Sequence, residues 1–186
     1  MARLSGARTQ AVVIEGARAT LAELEATERA LGFSLPPSFA AFLLEVGAVS
    51  FLNPWHDATT SVGWLVAASA SLEADVALSA ERFLQATARE GITLDPKAPR
   101  HLLHVCEEQG GEAVFALCSR RDAAGDAPVF LRHHDEPEAL YHPSSDFRQW
   151  FGERLVRLRE ELQTPRRPPS RGRSSLANLA DYVERG

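Results

Sequence analysis

The stretch LEATERALGFSLPPSFAAFLLEVG, residues 24–47, predicts two helices joined by a sharp corner. Pro36 and Pro37 end any helix before them, because a proline drives the preceding residue out of the α region, and Pro37 suits the first position of a new helix. Gly47 is placed to stop that new helix. Between Pro37 and Gly47, apolar side chains recur at the helical spacing i, i+3, i+4 and i+7. These are Phe39, Phe42, Leu43 and Val46.

The upstream half of this stretch shows the same kind of pattern. Leu21, Leu24 and Leu31 share one helical face, most charged residues occupy the other faces, and Gly32 follows as the stop. The sequence therefore predicts an N-terminal helical pair.

Length and composition indicate one folded domain. The chain has 186 residues, of which 24% are charged and 45% hydrophobic, and these are ordinary values for a globular protein. No apolar run is long enough to cross a bilayer, and the first residues lack the apolar segment of a secretory signal. We therefore expect a soluble cytoplasmic protein without membrane contact. In that compartment, two cysteines do not make a disulfide framework.

The net charge of −5 is unevenly distributed. From Pro165 onward, five arginines stand against Asp181 and Glu184, so this segment carries +3 and residues 1–164 carry −8. An acidic body repels nucleic acid and attracts basic proteins through long-range, salt-sensitive steering. The charge therefore favours a basic protein partner over a nucleic acid.

The rest of the chain predicts mainly strands, followed by a long helix. The predicted strands cover residues 48–52, 62–67, 101–109, 112–119, 128–132 and 138–142. Short connections imply antiparallel pairing, with Gly110 and Gly111 forming a hairpin turn. Residues 72–88 predict one or two helices, and Trp55, His56 and Asp57 are expected in a turn after Asn53-Pro54. Ser144 or Ser145 is expected to cap a long amphipathic helix whose apolar face contains Phe147, Trp150, Phe151, Leu155, Leu158 and Leu162.

These elements predict an α+β fold with an N-terminal helical pair, a mixed or antiparallel central sheet and a long C-terminal amphipathic helix. Residues 1–19 are expected to form an arm or a short edge strand, and residues 20–163 the domain itself. Residues 164–175, rich in proline and arginine, predict a basic linker. Residues 176–186 predict a short helix with an apolar face at Leu176, Leu179, Ala180 and Val183.

Catalytic and metal-binding patterns are weak in this sequence. A metal site would have to combine His104 and Cys106, which share a face on a regular strand, with His133 or His134. Cys106 and Cys118 lie in predicted strands, where a buried cysteine is usually inert packing. Gly110-Gly111 belongs to neither a phosphate-binding nor a dinucleotide-binding motif, because no GxGxxG or GK[ST] follows. We therefore expect no cofactor, no metal and no catalytic residue.

Several of these landmarks together resemble the SUKH superfamily, in its Smi/Knr-like branch. The specific block is the helical corner, and later landmarks occur in the same order. The residues that carry the resemblance are Leu24, Glu28, Leu31, Gly32, Leu35, Pro36, Phe39, Phe42, Leu43, Gly47, Gly110, Gly111, Phe147, Trp150 and Phe151.

This resemblance implies a non-enzymatic protein. Bacterial members of the superfamily are similar in serving as immunity proteins, which bind and neutralise cognate toxins, often nucleases. No family motif marks the contacting residues, so charge and loop placement select a candidate partner-binding set, in which Trp55 is either packed on the body or an exposed anchor. The set is Trp55, His56, Asp57, Glu107, Glu108, Asp135, Glu136 and Glu138.

Two alternatives remain open from the sequence. The first is a regulatory scaffold or adaptor that recruits a partner through its C-terminal tail, as the resemblance to eukaryotic Smi/Knr relatives implies. The second is a metal-dependent hydrolase that uses His104 and the pair His133 and His134. The sequence does not specify an oligomeric state.

Overall fold

The computed structural model describes residues 2–6, 9–52, 56–108, 112–133, 136 and 139–163, which form an α+β fold of helices packed around one sheet. The strands are β1 (Ala2–Gly6), β2 (Thr9–Glu15), β3 (Val49–Leu52), β4 (His56–Thr59), β5 (Leu102–Glu108), β6 (Glu112–Leu117), β7 (Val129–Arg132) and β8 (Tyr141–Ser144). The helices are α1 (Leu21–Leu31), α2 (Pro37–Glu45), α3 (Leu65–Leu78), α4 (Ala80–Arg89) and α5 (Phe147–Gln163). The predicted linker and terminal helix, 164–186, lie outside the described residues.

The sequence predicted a mixed or an antiparallel sheet, and the described sheet is antiparallel. In the described part of the chain, eight strands lie in chain order from β1 to β8, and each neighbouring pair is antiparallel. The N-terminal segment, predicted as an arm or an edge strand, forms β1 and β2, and β2 pairs with β3. Because each strand pairs with the next, successive connections alternate between the two ends of the sheet.

The helical corner forms as predicted, with caps at each end of α1. Thr20 and Glu23 make a capping box at its start, and Gly32 ends it in the left-handed conformation with φ 78°. α2 begins at Pro37, where Oδ1 of Asp126 accepts a 2.9 Å hydrogen bond from the Ser38 N–H. A carboxylate 88 residues away therefore caps α2, at the end where the helix dipole favours negative charge.

Two apolar clusters lie on opposite faces of the central strands. On β6, Val114 and Ala116 belong to the cluster that includes side chains from α1, α2 and α5, whereas Phe115 and Leu117 belong to the cluster with α3 and α4. This alternation follows from the period of two along a strand. β6 is consequently buried on both faces by helices.

Aromatic side chains of α5 pack into the first cluster, as the sequence predicted. Phe147 lies between the rings of Phe39 at 4.8 Å and Phe42 at 5.0 Å, and Trp150 is buried beside it. The predicted cap at Ser144 or Ser145 is wrong, because Oδ1 of Asp146 accepts the 2.8 Å hydrogen bond from the Gln149 N–H.

Farther along α5, the predicted apolar face is only partly buried. Leu158 is buried as expected. Leu155 is 43% exposed, however, so the prediction that it belongs to the buried face is wrong. The side chain of Leu162 lies outside the described residues.

The middle of the chain contains the largest errors of prediction. The predicted strand at 62–67 is wrong, since residues 62–64 form a turn and α3 begins at Leu65. A short apolar run does not distinguish a strand from a buried helix, and the following alanine-rich segment continues the helix. His56 and Asp57, expected in a turn, lie in β4, and Trp55 is outside the described residues.

The last predicted strand is displaced along the sequence. β8 covers Tyr141–Ser144 instead of residues 138–142, and it contains Pro143. A proline removes a backbone donor and is tolerated in a strand at the edge of a sheet, which is the position of β8. The paired strands β5 and β6 form as predicted, while Gly110 and Gly111 between them lie outside the described residues.

Candidate functional site

Strand register gathers acidic residues at one end of the sheet. β5 ends at Glu108, which pairs directly with Glu112 at the start of β6, and Ala58 of β4 pairs with Glu107. β7 ends and β8 begins at this same end, since Leu131 pairs with Tyr141 and residue 136 lies between them. We call Glu107, Glu108, Glu112 and Glu136 the acidic end.

The structure locates part of the predicted partner-binding set at this acidic end. Glu107 and Glu136 are exposed, and Glu108 is half-buried. The backbone of His56 and Asp57 reaches the same end in β4, but their side chains lie outside the described residues, as do Trp55, Asp135 and Glu138 altogether. A role in partner binding stays a prediction for the whole set.

Polar contacts connect the strands at the acidic end. Glu112 and His133 form an ion pair when the histidine is protonated, and the hydroxyl of Tyr141 donates to Glu136. The rings of His133 and Tyr141 meet edge to face at 4.6 Å. His133, a candidate metal ligand from sequence, is thus engaged by a carboxylate and an aromatic ring.

A cavity of about 270 Å³ opens beside the acidic end, between α3 and the strands β5 to β7. We call it the α3 cavity. Its lining residues are Ala68, Ser71, Leu72 and Asp75 of α3, His104 and Glu107 of β5, Ala113 of β6 and Arg132 of β7. Sequence reasoning identified Glu107 but missed Asp75 and Arg132, because no local pattern brings these residues together.

Three of these residues form one row across the sheet. Ala113 pairs with Glu107 on one side and with Arg132 on the other. Since neighbouring strands lie about 4.8 Å apart, the backbones of Glu107 and Arg132 are roughly 10 Å apart, and the small Ala113 side chain leaves the space between them open.

Arg132 is the buried cation of the α3 cavity. It is only 8% exposed, and its Nε has no hydrogen-bond partner in the part of the chain that the structure describes. A buried donor without an acceptor is costly, since burial removes its water. The arrangement can therefore accept a group that brings an oxygen atom to Arg132.

His104 is held in place on the wall of the same cavity. Its Nδ1 lies 2.7 Å from Oγ1 of Thr60, and its backbone N–H donates to Oγ of Ser69 at 3.1 Å. Burial lowers the pKa of His104, and the nearby charge of Glu107 opposes this effect. Burial therefore favours the neutral form of the imidazole.

A β-bulge separates His104 from Cys106, which were expected on one strand face. The register shifts between them, so that His104 pairs with Phe115 and Cys106 with Val114, and these partners belong to opposite apolar clusters. The expectation of a shared face is therefore wrong. Among the described residues, no three histidine, cysteine, aspartate or glutamate side chains come close enough to hold a metal ion.

Both cysteines are buried in the core, and they form no disulfide within the described part of the chain. Cys106 lies in β5, and Cys118 follows the last residue of β6. Burial raises the pKa of Cys118 to about 12, with a smaller opposing effect from Arg121. This thiol is therefore protonated at neutral pH and is a poor nucleophile.

The corner residues that suggested the family serve the fold. Oε1 of Glu28 accepts a 2.7 Å hydrogen bond from the Leu35 N–H and so fastens α1 to the segment before α2. The guanidinium of Arg121 donates to the carbonyl oxygens of Ser34, Cys118 and Gly125, which fastens the β6–β7 connection to the same segment.

In sequence, the chain matches the SMI1 / KNR4 family (SUKH-1) over residues 18–153, which is well over half of its length. No curated protein matches it. Within the described residues, no helix combines the length and apolar character needed to cross a membrane.

Proposed function

The chain belongs to the SMI1 / KNR4 family (SUKH-1), and from this membership we propose that it is an immunity protein that neutralises a cognate bacterial toxin by binding it. Proteins of the SUKH family are in general toxin immunity proteins. The observation that carries the proposal is the match over residues 18–153, which includes the helical corner and the strands β3 to β8. Neutralisation of this kind requires no reaction by the immunity protein.

The distribution of charge supports a basic toxin domain, such as a nuclease, as the partner. Residues 1–164 carry a net charge of −8, and the acidic end has exposed carboxylates at Glu107, near the end of β5, and at Glu136, in the β7–β8 connection. Charge complementarity of this kind accelerates association and selects partners. We propose that the toxin approaches the acidic end.

Co-expression tests this function directly. The probe is a candidate toxin domain, sought first in the reading frames next to that of this protein and produced in a host that it kills. We expect the full chain to restore growth and to co-purify with the toxin domain, with binding that weakens as salt rises from 50 to 500 mM. Growth arrest despite abundant folded protein would contradict the proposal.

A truncation separates this function from tail-mediated recruitment. Ending the chain at Thr164 removes the arginine-rich tail and keeps the domain. We expect the truncated chain to restore growth as the full chain does, because the binding surface is proposed to lie on the domain. Loss of protection by a folded truncation would favour the adaptor role of the tail.

A further inference from the structure

A solvent-exposed tryptophan continues the α3 face that lines the α3 cavity. Trp64 immediately precedes α3 with near-helical backbone angles, φ −108° and ψ −12°. Ala68, Ser71 and Asp75 follow it at i+4, i+7 and i+11, a spacing that places side chains on one helical face. All three of these later residues line the α3 cavity. Trp64 therefore lies one helical turn from the cavity, on the same face.

Trp64 is a large apolar side chain that the described part of the fold leaves exposed. Its side chain is 70% exposed, whereas the neighbouring Leu65 is fully buried. Tryptophan supplies a large contact area at little cost in side-chain entropy, and it is enriched among the residues that dominate binding energy at protein interfaces. Sequence reasoning considered Trp55 for such a role and missed Trp64, because the run around Trp64 was interpreted as a strand.

The α3 cavity beside this tryptophan offers two kinds of polar contact. Nε of Arg132 needs an oxygen acceptor, since it is buried without one in the described part of the chain. Glu107 and Asp75 are exposed carboxylates on the cavity wall and can accept hydrogen bonds from cationic or amide N–H groups. A free anion makes only the first contact, with Arg132, and a free cation makes only the second, with the carboxylates. A polypeptide loop with a basic side chain makes both.

On the basis of the function proposed above, we propose that the toxin binds across the α3 cavity and inserts a polar loop into it. An oxygen of the loop accepts a hydrogen bond from Arg132, and a lysine or arginine of the toxin pairs with Glu107 and Asp75. Trp64 packs against apolar surface beside the loop. This assigns the partner surface to α3 and the adjoining part of the acidic end.

Binding measurements on matched variants test this surface. The probe is the same toxin domain with its active site inactivated, titrated calorimetrically into the full chain. We expect Trp64→Ala and Glu107→Lys each to weaken binding at least about 10-fold. The controls are Leu78→Ala, at the other end of α3 with 90% exposure, and Glu25→Lys, on the exposed face of α1. We expect both controls to stay within about 2-fold of wild type.

A third variant distinguishes binding by Arg132 from a structural role. Because Nε has no partner in the described protein, Arg132→Met should leave the melting temperature unchanged or raise it, and should still weaken toxin binding at least about 10-fold. A large fall in the melting temperature with unchanged affinity would contradict the assignment of Arg132.

The outcomes for the surface and for the function are distinguishable. Wild-type binding that Trp64→Ala and Glu107→Lys leave unchanged would overturn the proposed surface and leave the immunity function standing. Failure of the wild-type chain to bind or protect against the toxin would overturn the function itself, and the surface with it.

Discussion

The carboxylate of Glu73 on α3 accepts a 2.7 Å hydrogen bond from the backbone N–H of Leu102 on β5. One turn earlier on α3, the hydroxyl of Ser69 accepts from the His104 N–H. Among the described residues, β4 pairs with β5 at Cys106 and Glu107, and no described strand pairs with the preceding part of β5 on that side. Side chains of α3 therefore complete the hydrogen bonding of a buried sheet edge.

Removing this acceptor should destabilise the fold. Glu73→Ala leaves the buried Leu102 N–H unpaired, which should lower the free energy of unfolding by about 1–3 kcal/mol. Urea denaturation followed by circular dichroism measures the loss. Asp75→Ala, half a turn away on the exposed side of α3, is the control and should change stability by less than about 0.5 kcal/mol. Equal losses in the two variants would show that the Glu73 contact contributes nothing.

Gly47 should tolerate alanine less well than Gly32. Both have positive φ, 88° and 78°, a conformation that costs an L-residue roughly 1–2 kcal/mol. At Gly47 an added Cβ would also lie 2.8 Å from the carbonyl oxygen of Ala17, whereas at Gly32 it would meet no atom within 4 Å. We therefore expect Gly47→Ala to lower the melting temperature clearly more than Gly32→Ala. Equal shifts would show that the backbone at Gly47 relaxes at little cost.

The contribution of Glu28 to the corner is testable against a neighbouring glutamate. Glu28→Ala removes a charge-assisted hydrogen bond to the Leu35 N–H and should cost about 1.5–3 kcal/mol of stability. Glu25→Ala, on the exposed face of the same helix, should cost less than about 0.5 kcal/mol. Chemical denaturation of both variants makes the comparison. If the two midpoints agree, the hydrogen bond seen at Glu28 is not stabilising.

His104 should make stability depend on pH below neutrality. Burial lowers its pKa in the folded state from the ordinary value of 6.5, so the unfolded chain binds the proton more readily. The folded state therefore loses stability as pH falls from about 6.5 toward the lowered pKa, and the contribution is fully present above pH 6.5. The charged groups that line the cavity together with His104 are Glu107 on the same strand, Asp75 on α3 and Arg132 on β7.

A variant without this titration isolates the effect. His104→Gln retains hydrogen-bonding capacity toward Thr60 and has no proton to gain. We expect the difference in melting temperature between pH 7.5 and pH 5.5 to be smaller in His104→Gln than in wild type, while carboxylates titrate alike in both. Parallel pH profiles for the two proteins would show that His104 is not the responsible group.

The local rules that predicted the helical corner and the aromatic start of α5 were confirmed. The corner depends on Pro36, Pro37 and Gly32, whose backbone restrictions or freedoms act within a few residues. The α5 aromatic face depends on the helical period alone, and Phe147 and Trp150 are buried as predicted. The strand predicted at residues 62–67 was wrong because a short apolar run is compatible with either a strand or a helix. The shared face predicted for His104 and Cys106 was wrong because a β-bulge places their side chains on opposite faces of the sheet.

The sequence by itself determined the helical corner, the paired strands β5 and β6, the closing helix and the acidic charge of the body, because backbone preference, periodicity and charge are local or additive. Only the tertiary structure decided that Glu107 and Arg132 flank Ala113 in one row, and that Trp64 stands exposed beside their cavity. Strand register and helix packing place these residues together over long separations in the chain. Strand register and helix packing cannot be inferred from any short segment of the chain.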